Sequence, residues 1–194
     1  MVALTIDDGW IKGAFDTMLD LLAEHNVRGT FFLIFRAANQ LGPERMQRLA
    51  AEGHEIGYHS YSHNVLDELR LWGSAEWSED YELWAEAMRA LLGDQAFDLA
   101  VRPIARAPYG LFNAAFLAMT DQEGLVPVSW SVDMGTGTSG IRLKDGDILM
   151  LHVSSPDALT LADILSREDI LLGTLSELVP AYPEGRILRT IPLE

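Results

Sequence analysis

Two pairs of side chains in this sequence have the types and spacing of metal ligands. Asp7 and Asp8 end a short apolar run, and His59 and His63 stand four positions apart after another. Two neutral imidazoles and one carboxylate are a common ligand set for a catalytic divalent metal ion, and they leave a coordination position open to water. If one helical turn carries the histidines, both rings project from the same side of it. We therefore expect a metal site that Asp7 or Asp8 completes.

Each pair also has an ordinary explanation when it is taken alone. The H-x-x-x-H spacing occurs by coincidence in polar surface turns, and adjacent aspartates followed by glycine are typical of a β-turn. His25, beside Asn26, is interpreted as a solvated helix end, and His54 as a hydrogen-bonded structural residue. The metal hypothesis therefore depends on whether the fold brings the two pairs together.

Hydrophobic periodicity predicts the elements that would position these pairs. Short apolar runs alternate with helical patterns, which predicts an α/β fold with a largely parallel sheet. The predicted strands cover 2–6, 30–35, 54–58, 99–105, 125–132, 147–151 and 186–191. The predicted helices lie around 15–22, 43–52 and 75–92, with Ser74 as the N-cap of the last. Residues 159–179 fit either one helix or a short helix, a strand near 170–172 and a final helical turn.

Polar residues follow these strands at their C-terminal ends. Parallel strands deliver their C-terminal loops to one face of an α/β fold, and reactive groups gather there. We therefore expect residues distant in the chain to be neighbours in space, namely Asp7, Asp8, His59, His63, Arg106, Tyr109, Asp133 and His152.

Composition limits the partners and the compartment. The 194 residues carry 14 Lys and Arg against 29 Asp and Glu, a formal net charge of −15, so their field repels nucleic acid and anionic lipid. A neutral substrate or a bound cation fits better. The absence of cysteine excludes thiolate ligands and cysteine nucleophiles.

The sequence contains neither a leader pattern nor an apolar run of roughly 20 residues, so we expect a soluble chain with no membrane segment. The compartment stays open between secreted or cell-envelope, if a leader was removed, and cytoplasmic. The oligomeric state stays open as well.

Five motifs in order resemble one family. They are TIDDG (5–9), HSYSH (59–63), RAPYG (106–110), SWSVD (129–133) and ILMLH (148–152), and their order and spacing are similar to those of the polysaccharide deacetylases, the NodB-homology domain of carbohydrate esterases. The resemblance implies a single catalytic domain over residues 1–194, a distorted (β/α) barrel of about seven parallel strands. It also implies a divalent metal ion, most often zinc, with Co, Ni or Mn as alternatives.

The same resemblance assigns roles to residues. It implies that Asp8, His59 and His63 bind the metal ion and that Asp7 is the catalytic base. The expected activity is metal-dependent hydrolysis of N-acetyl or O-acetyl groups on a glycan, such as chitin-like or peptidoglycan-like chains of N-acetylglucosamine.

The other motifs supply the remaining groups. Arg106 is similar to the family arginine that pairs with the base, although a surface ion pair is the alternative. His152 is similar to the general acid, and the Tyr109 N–H is expected to stabilise the oxyanion. Pro108 is expected to fix that turn and, together with Trp130 and Met150, to line the substrate pocket.

The fourth motif departs from the family pattern. Family members commonly carry a second aspartate followed by tryptophan, three residues after the first, and that aspartate polarises the catalytic histidine. Here Thr136 and Gly137 stand in those places, so Asp133 is the candidate that reaches His152 instead. Two other functions stay open on this scaffold, which are hydrolysis of a different C–N bond, such as a cyclic amide, and a glycan-binding relic with impaired catalysis.

Overall fold

One curled sheet of parallel strands organises the chain. The computed structural model describes residues 1–135, 142–179 and 188. The strands are β1 (Val2–Asp8), β2 (Thr30–Leu33), β3 (Glu55–Tyr58), β4 (Val101–Ala105), β5 (Val126–Pro127), β6 (Val132–Asp133), β7 (Ile148–His152) and β8 (Leu172–Gly173). They lie in the order β5-β4-β3-β2-β1-β7-β6, and β8 pairs with β1 outside that path. Every pairing is parallel, which confirms the predicted α/β fold, a curled half-barrel.

All but the last of the helices cover the outer face of this sheet, and the last packs on the opposite face with Ala3 and Phe32. The helices are α1 (Lys12–Glu24), α2 (Phe35–Leu41), α3 (Pro43–Ala51), α4 (Leu66–Leu69), α5 (Ser74–Leu92), α6 (Asp94–Ala100), α7 (Ala114–Gln122), α8 (Ser155–Leu165) and α9 (Leu175–Leu178). None of the helices in the described ranges is both long enough and apolar enough to span a bilayer.

Side chains on the two faces of β1 belong to two different hydrophobic cores. Leu4 and Ile6 belong to the larger core between the sheet and the helices, whereas Ala3 belongs to a smaller core that also contains Phe32. Successive side chains of a strand point to opposite faces, so Thr5 and Asp7 share the face of Ala3. β1 therefore directs one carboxylate into the curl of the sheet.

Several predicted boundaries in the first half of the chain are wrong. The strand predicted at 30–35 ends at Leu33, because Phe35 already begins α2. The strand predicted at 99–105 begins at Val101, because the residues before it end α6. Short apolar runs fit a buried helix as well as a strand. Ser74 is the first residue of α5 rather than its N-cap, which is Gly73.

The second half also corrects the prediction. The run at 125–132 divides into the two short strands β5 and β6. Of the two alternatives for 159–179, the divided one is right, since α8 is followed by β8 and α9. The strand predicted at 186–191 lies outside the described residues except at Leu188, which forms a parallel bridge with Val128.

Candidate active site

Asp8, His59 and His63 lie together at the C-terminal end of the sheet. One possible ligand atom from each lies within 4.8 Å of those of the other two. His59 Nε2 is 3.5 Å from Asp8 Oδ1, and the centroids of the two imidazole rings are 5.2 Å apart. The fold therefore brings together a carboxylate at the end of β1 and two imidazoles after β3, from segments that are about fifty residues apart in the chain.

A backbone contact determines which nitrogen of His59 carries its hydrogen. His59 Nδ1 lies 2.9 Å from the carbonyl oxygen of Arg106. A carbonyl can only accept, so Nδ1 donates, and Nε2, which lies towards Asp8, is the nitrogen that can bind a metal ion. Metal-binding histidines generally have this second hydrogen bond, which fixes their tautomer and orientation. One carboxylate oxygen and two imidazole nitrogens fit a divalent cation such as zinc.

The loops that carry this group have an unusual backbone. Among the described residues, five non-glycine residues have a positive φ, and four of them lie at the site. The four are Asp8 (81°), Ser60 (71°), His63 (53°) and Tyr109 (57°). Left-handed backbone is unfavourable for residues with a Cβ atom and clusters at functional sites.

This geometry corrects the expected helical turn between the histidines. Residues 59–63 form an irregular bend, and α4 begins only at Leu66. The Ser60 hydroxyl accepts the N–H of His63 at 2.8 Å. A bend with two left-handed residues, Ser60 and His63, therefore brings both rings to the site, and α4 begins after this bend.

A buried carboxylate on α5 stabilises the same bend. Asp80 Oδ1 accepts the Tyr58 hydroxyl at 2.5 Å and the N–H of Tyr61 at 2.8 Å. Burial raises the pKa of Asp80, and the two hydrogen bonds act in the opposite direction. Asp80 thus holds the end of β3 to α5 on either side of His59, a role that the sequence analysis did not predict.

Asp7 forms a buried ion pair with Arg106. Arg106 Nη1 donates to Asp7 Oδ1 at 2.7 Å and to the Thr5 hydroxyl at 2.8 Å. Its Nε and Nη2 donate to the carbonyl oxygens of Val128, at 3.1 Å, and Ser129, at 2.9 Å. The guanidinium is fully buried, so the alternative of a surface ion pair is wrong.

The ionisable side chains at the site shift the pKa values of one another. Burial by itself raises the pKa of Asp8, but the hydrogen bond and charge of His59, with the charges of His63 and His152, lower it overall. Burial and the neighbouring His59 lower the pKa of His63 to about 4. Asp8 is therefore ionised and His63 neutral at neutral pH, which are the protonation states that metal ligands require.

A cavity of about 360 Å³ opens beside this group. Besides Asp7, Asp8, His59 and His63, its lining comprises Ala107, Tyr109, Gly110, Trp130, Asp133, Met150 and His152. Gly110 leaves room for Trp130, because a Cβ atom there would lie 2.9 Å from Trp130 Cη2. Trp130 and Met150 thus line the cavity as expected.

Pro108 does not line this cavity. It is buried and begins the 3₁₀ turn Pro108–Gly110, in which Tyr109 is half exposed. The first N–H groups of such a turn have no partner within it. Pro108 therefore begins the turn that carries Tyr109, and Ala107 and Gly110 line the cavity instead.

His152 ends β7 beside Asp7. The two residues are partners in the register of the parallel strands β1 and β7. Asp133 lines the same cavity, and its Oδ1 accepts the N–H of Gly135 at 2.9 Å. Thr136 and Gly137, which stand in place of the family aspartate and tryptophan, lie outside the described residues.

One carboxylate near His152 was missed by the sequence analysis. Asp157, in the first turn of α8, is buried, and its Oδ2 lies 3.6 Å from His152 Nδ1. The spacing of Ser154 and Asp157 is typical of a helix N-terminus, so the sequence carried a signal for α8. It carried none for the contact with the histidine.

Comparisons with known proteins agree with the fold. A model of the polysaccharide deacetylase family matches residues 1–128. The chain is 34% identical to a chitooligosaccharide deacetylase of Sinorhizobium fredii, with 98% of this chain and 90% of that protein aligned. It is also 34% identical to a peptidoglycan-N-acetylglucosamine deacetylase of Bacillus cereus, over 68% of this chain and 44% of that protein. The Xyl-CE4 domain of a multidomain xylanase, from the hindgut metagenome of Trinervitermes trinervoides, shares the fold with a TM-score of 0.78 and 24% identity, covering 98% of this chain and 97% of that domain.

Proposed function

Because this chain belongs to the polysaccharide deacetylase family, we propose that it removes acetyl groups from N-acetylglucosamine residues of a glycan. A chitin-like oligosaccharide is the first substrate to test. The support is the relative from Sinorhizobium fredii, which is named for that substrate and aligns over 90% of its own length. The alignment with the peptidoglycan enzyme covers less than half of that protein.

The proposed reaction depends on a divalent metal ion, with zinc as the first choice. Asp8, His59 and His63 would hold it, because their ligand atoms already lie within 4.8 Å of one another. The ion would coordinate a water molecule and lower the pKa of that water to about 7, and it would polarise the acyl oxygen. Fixing of the His59 tautomer by the Arg106 carbonyl prepares Nε2 for this role.

Asp7 acts as the general base. Its Oδ1 is held by Arg106, so the carboxylate keeps a fixed orientation while it lines the cavity. In that position it takes the proton from the attacking water molecule. Arg106 itself touches the base rather than the substrate, so it is a positioning residue.

The remaining groups act on the acyl group and on the amine that departs. The N–H of Tyr109 donates to the oxygen on which negative charge develops. As the C–N bond breaks, His152 gives a proton to the amine nitrogen, which departs as the free amine. The acyl group departs as acetate, which contains the oxygen of the attacking water molecule. Trp130 and Met150 supply an apolar wall for the acetyl methyl group.

The single observation that carries this proposal is that Asp8, His59 and His63 share one cavity with Asp7, whose carboxylate Arg106 holds from below. The test is acetate release from a chitooligosaccharide by the protein loaded with zinc, alongside peptidoglycan, an O-acetylated glycan and a small cyclic amide. We expect release from the chitooligosaccharide, loss of it on chelation and recovery when zinc returns.

A matched pair of variants tests the base. Asp7→Asn should lower turnover by about 10²- to 10⁴-fold while the zinc content stays unchanged. Asp98→Asn, which changes an exposed carboxylate paired with Arg89, should behave like the unchanged protein. Full activity of Asp7→Asn would contradict the assignment of the base. Turnover of the cyclic amide alone, or no acetate from any substrate at full zinc loading, would contradict the function.

A further inference from the structure

The carboxylate of Asp157 lies against the edge of His152. Its Oδ2 accepts the backbone N–H of His152 at 2.6 Å and is 3.6 Å from the ring nitrogen Nδ1. The side chain of Asp157 is 7% exposed and that of His152 is 42% exposed. A buried carboxylate therefore faces the inner edge of a ring whose other side is open.

The start of α8 fixes the position of this carboxylate. The Ser154 hydroxyl caps the helix by accepting the N–H of Asp157 at 3.1 Å. Val153, between them and the histidine, donates its N–H to the carbonyl oxygen of Asp7 at 3.0 Å. On its other side, Asp157 Oδ1 lies 3.9 Å from where a Cβ atom on Gly135 would stand. The carboxylate is thus enclosed between the end of β7 and the residues after β6.

This placement selects which nitrogen of His152 can serve the reaction. Nδ1 is on the edge of the ring nearer to Asp157, and Nε2 is on the opposite edge of a ring that lines the cavity. A separation of 3.6 Å is longer than a hydrogen bond. Catalytic hydrogen bonds are often long before substrate binds and shorten in the complex, and a small rotation of the ring would bring Nδ1 within reach.

We propose that Asp157 is a positioning residue that holds His152 through Nδ1, so that Nε2 delivers its proton to the departing amine. The inference rests on the proposed function, in which His152 is the general acid. It gives the histidine a carboxylate partner from the helix that follows its own strand.

The test separates this role from simple capping of the helix. Asp157→Asn keeps an oxygen that can accept the N–H of His152 but removes the charge. The variant is assayed on an N-acetylated chitooligosaccharide, whose amine needs a proton to leave, and on an aryl acetate, whose phenolate leaves without one. We expect kcat on the amide to fall about 10²-fold, as for weakened general acid catalysis. KM and aryl acetate turnover should stay within about twofold, because the metal site and base are unaffected.

Two controls make the comparison specific. Asp163→Asn changes an exposed carboxylate on the same helix and should leave both activities unchanged. In a His152→Ala background, Asp157→Asn should cause no further loss on the amide, because the two residues act as one unit. Equal losses on both substrates, no loss on the amide, or a full further loss in the His152→Ala background would overturn the proposal.

A spectroscopic measurement on the unchanged protein covers the case in which Asp157→Asn does not fold. Nitrogen-15 NMR of the His152 side chain should show hydrogen on Nδ1. A neutral ring with its hydrogen on Nε2 alone would overturn the proposal. If the unchanged protein releases no acetate, the proposed function fails, whereas the NMR result still judges the contact between Asp157 and His152.

Discussion

The guanidinium of Arg106 is enclosed by residues from three separate segments of the chain. Its donors reach Asp7 and Thr5 on β1 and the carbonyl oxygens of Val128 and Ser129. The ring of Phe32 completes the enclosure at 4.1 Å from the guanidinium carbon. A charge removed from water needs partners of this kind, so the ion pair of Asp7 is held rigidly below the cavity.

His54 is a buried ionisable residue away from the site, and it makes stability depend on pH. Its Nδ1 accepts the N–H of Gly29 at 3.1 Å, which confirms the predicted hydrogen-bonded structural role. The pKa of His54 is lowered to about 4, chiefly by burial and also by the charges of Arg48 and Arg28, while Glu52 acts in the opposite direction. The folded protein therefore prefers the neutral ring.

The sign of the pH effect follows from this preference. The unfolded chain binds the proton near its ordinary pKa of 6.5, above the folded value. The stabilising contribution of His54 is thus complete above pH 6.5 and is lost as pH falls toward 4, by about 3 kcal/mol. Urea unfolding between about pH 7 and about pH 4.5 should show a shallower fall for His54→Gln than for the unchanged protein. Parallel curves would contradict this, and His25→Gln, at an exposed histidine, serves as the control.

At the scale of the elements, the loops after the strands determine the shape of the site. Gly110, the last residue of the 3₁₀ turn Pro108–Gly110, and Gly124 both have φ 67°. A Cβ atom at Gly110 would lie 2.9 Å from Trp130, whereas a Cβ atom at Gly124 would meet nothing within 4 Å. The two positions share a backbone conformation and differ in their surroundings. They therefore form a matched pair for testing whether this turn positions the wall of the cavity.

Alanine at each position separates backbone strain from the contact. Gly124→Ala should lower the free energy of unfolding by about 1–2 kcal/mol, the cost of a left-handed residue with a Cβ atom. Gly110→Ala adds the clash with Trp130, so it should lower stability further and raise KM for the acetylated glycan. Urea unfolding and steady-state kinetics on both variants provide the measurement. Equal stability and unchanged KM for both would show that the turn does not hold Trp130 in place.

The sequence predicted the strands better than the loops. Apolar runs that end in polar residues predicted β1, β3 and β7, and with them Asp8, His59 and His152 at the strand ends. The bend between His59 and His63 was not predicted, and a helical turn was the only geometry considered, because spacing alone does not reveal left-handed residues. Asp80 and Asp157 were missed because each contributes through a contact that only the packed helices create.

At the scale of the whole molecule, the parallel topology brings the distant motifs together. β1 lies between β2 and β7 in the sheet, so residues near 7 and 152 become neighbours, as the rule for parallel strands predicted. The curl of the sheet and the residues that wall the cavity are set by packing across the chain. Type and order of the motifs were therefore predictable, whereas burial, backbone conformation and the partner of His152 needed the structure.

The proposed reaction depends above all on the binding of one divalent ion by Asp8, His59 and His63. The most direct measurement is equilibrium dialysis of the chelator-stripped protein against zinc, with the bound metal determined per chain. We expect one zinc ion per chain for the unchanged protein and for His25→Gln, and loss of that ion for Asp8→Ala and His63→Ala, each of which must remain folded by circular dichroism. Unchanged zinc binding in these two variants would contradict the account.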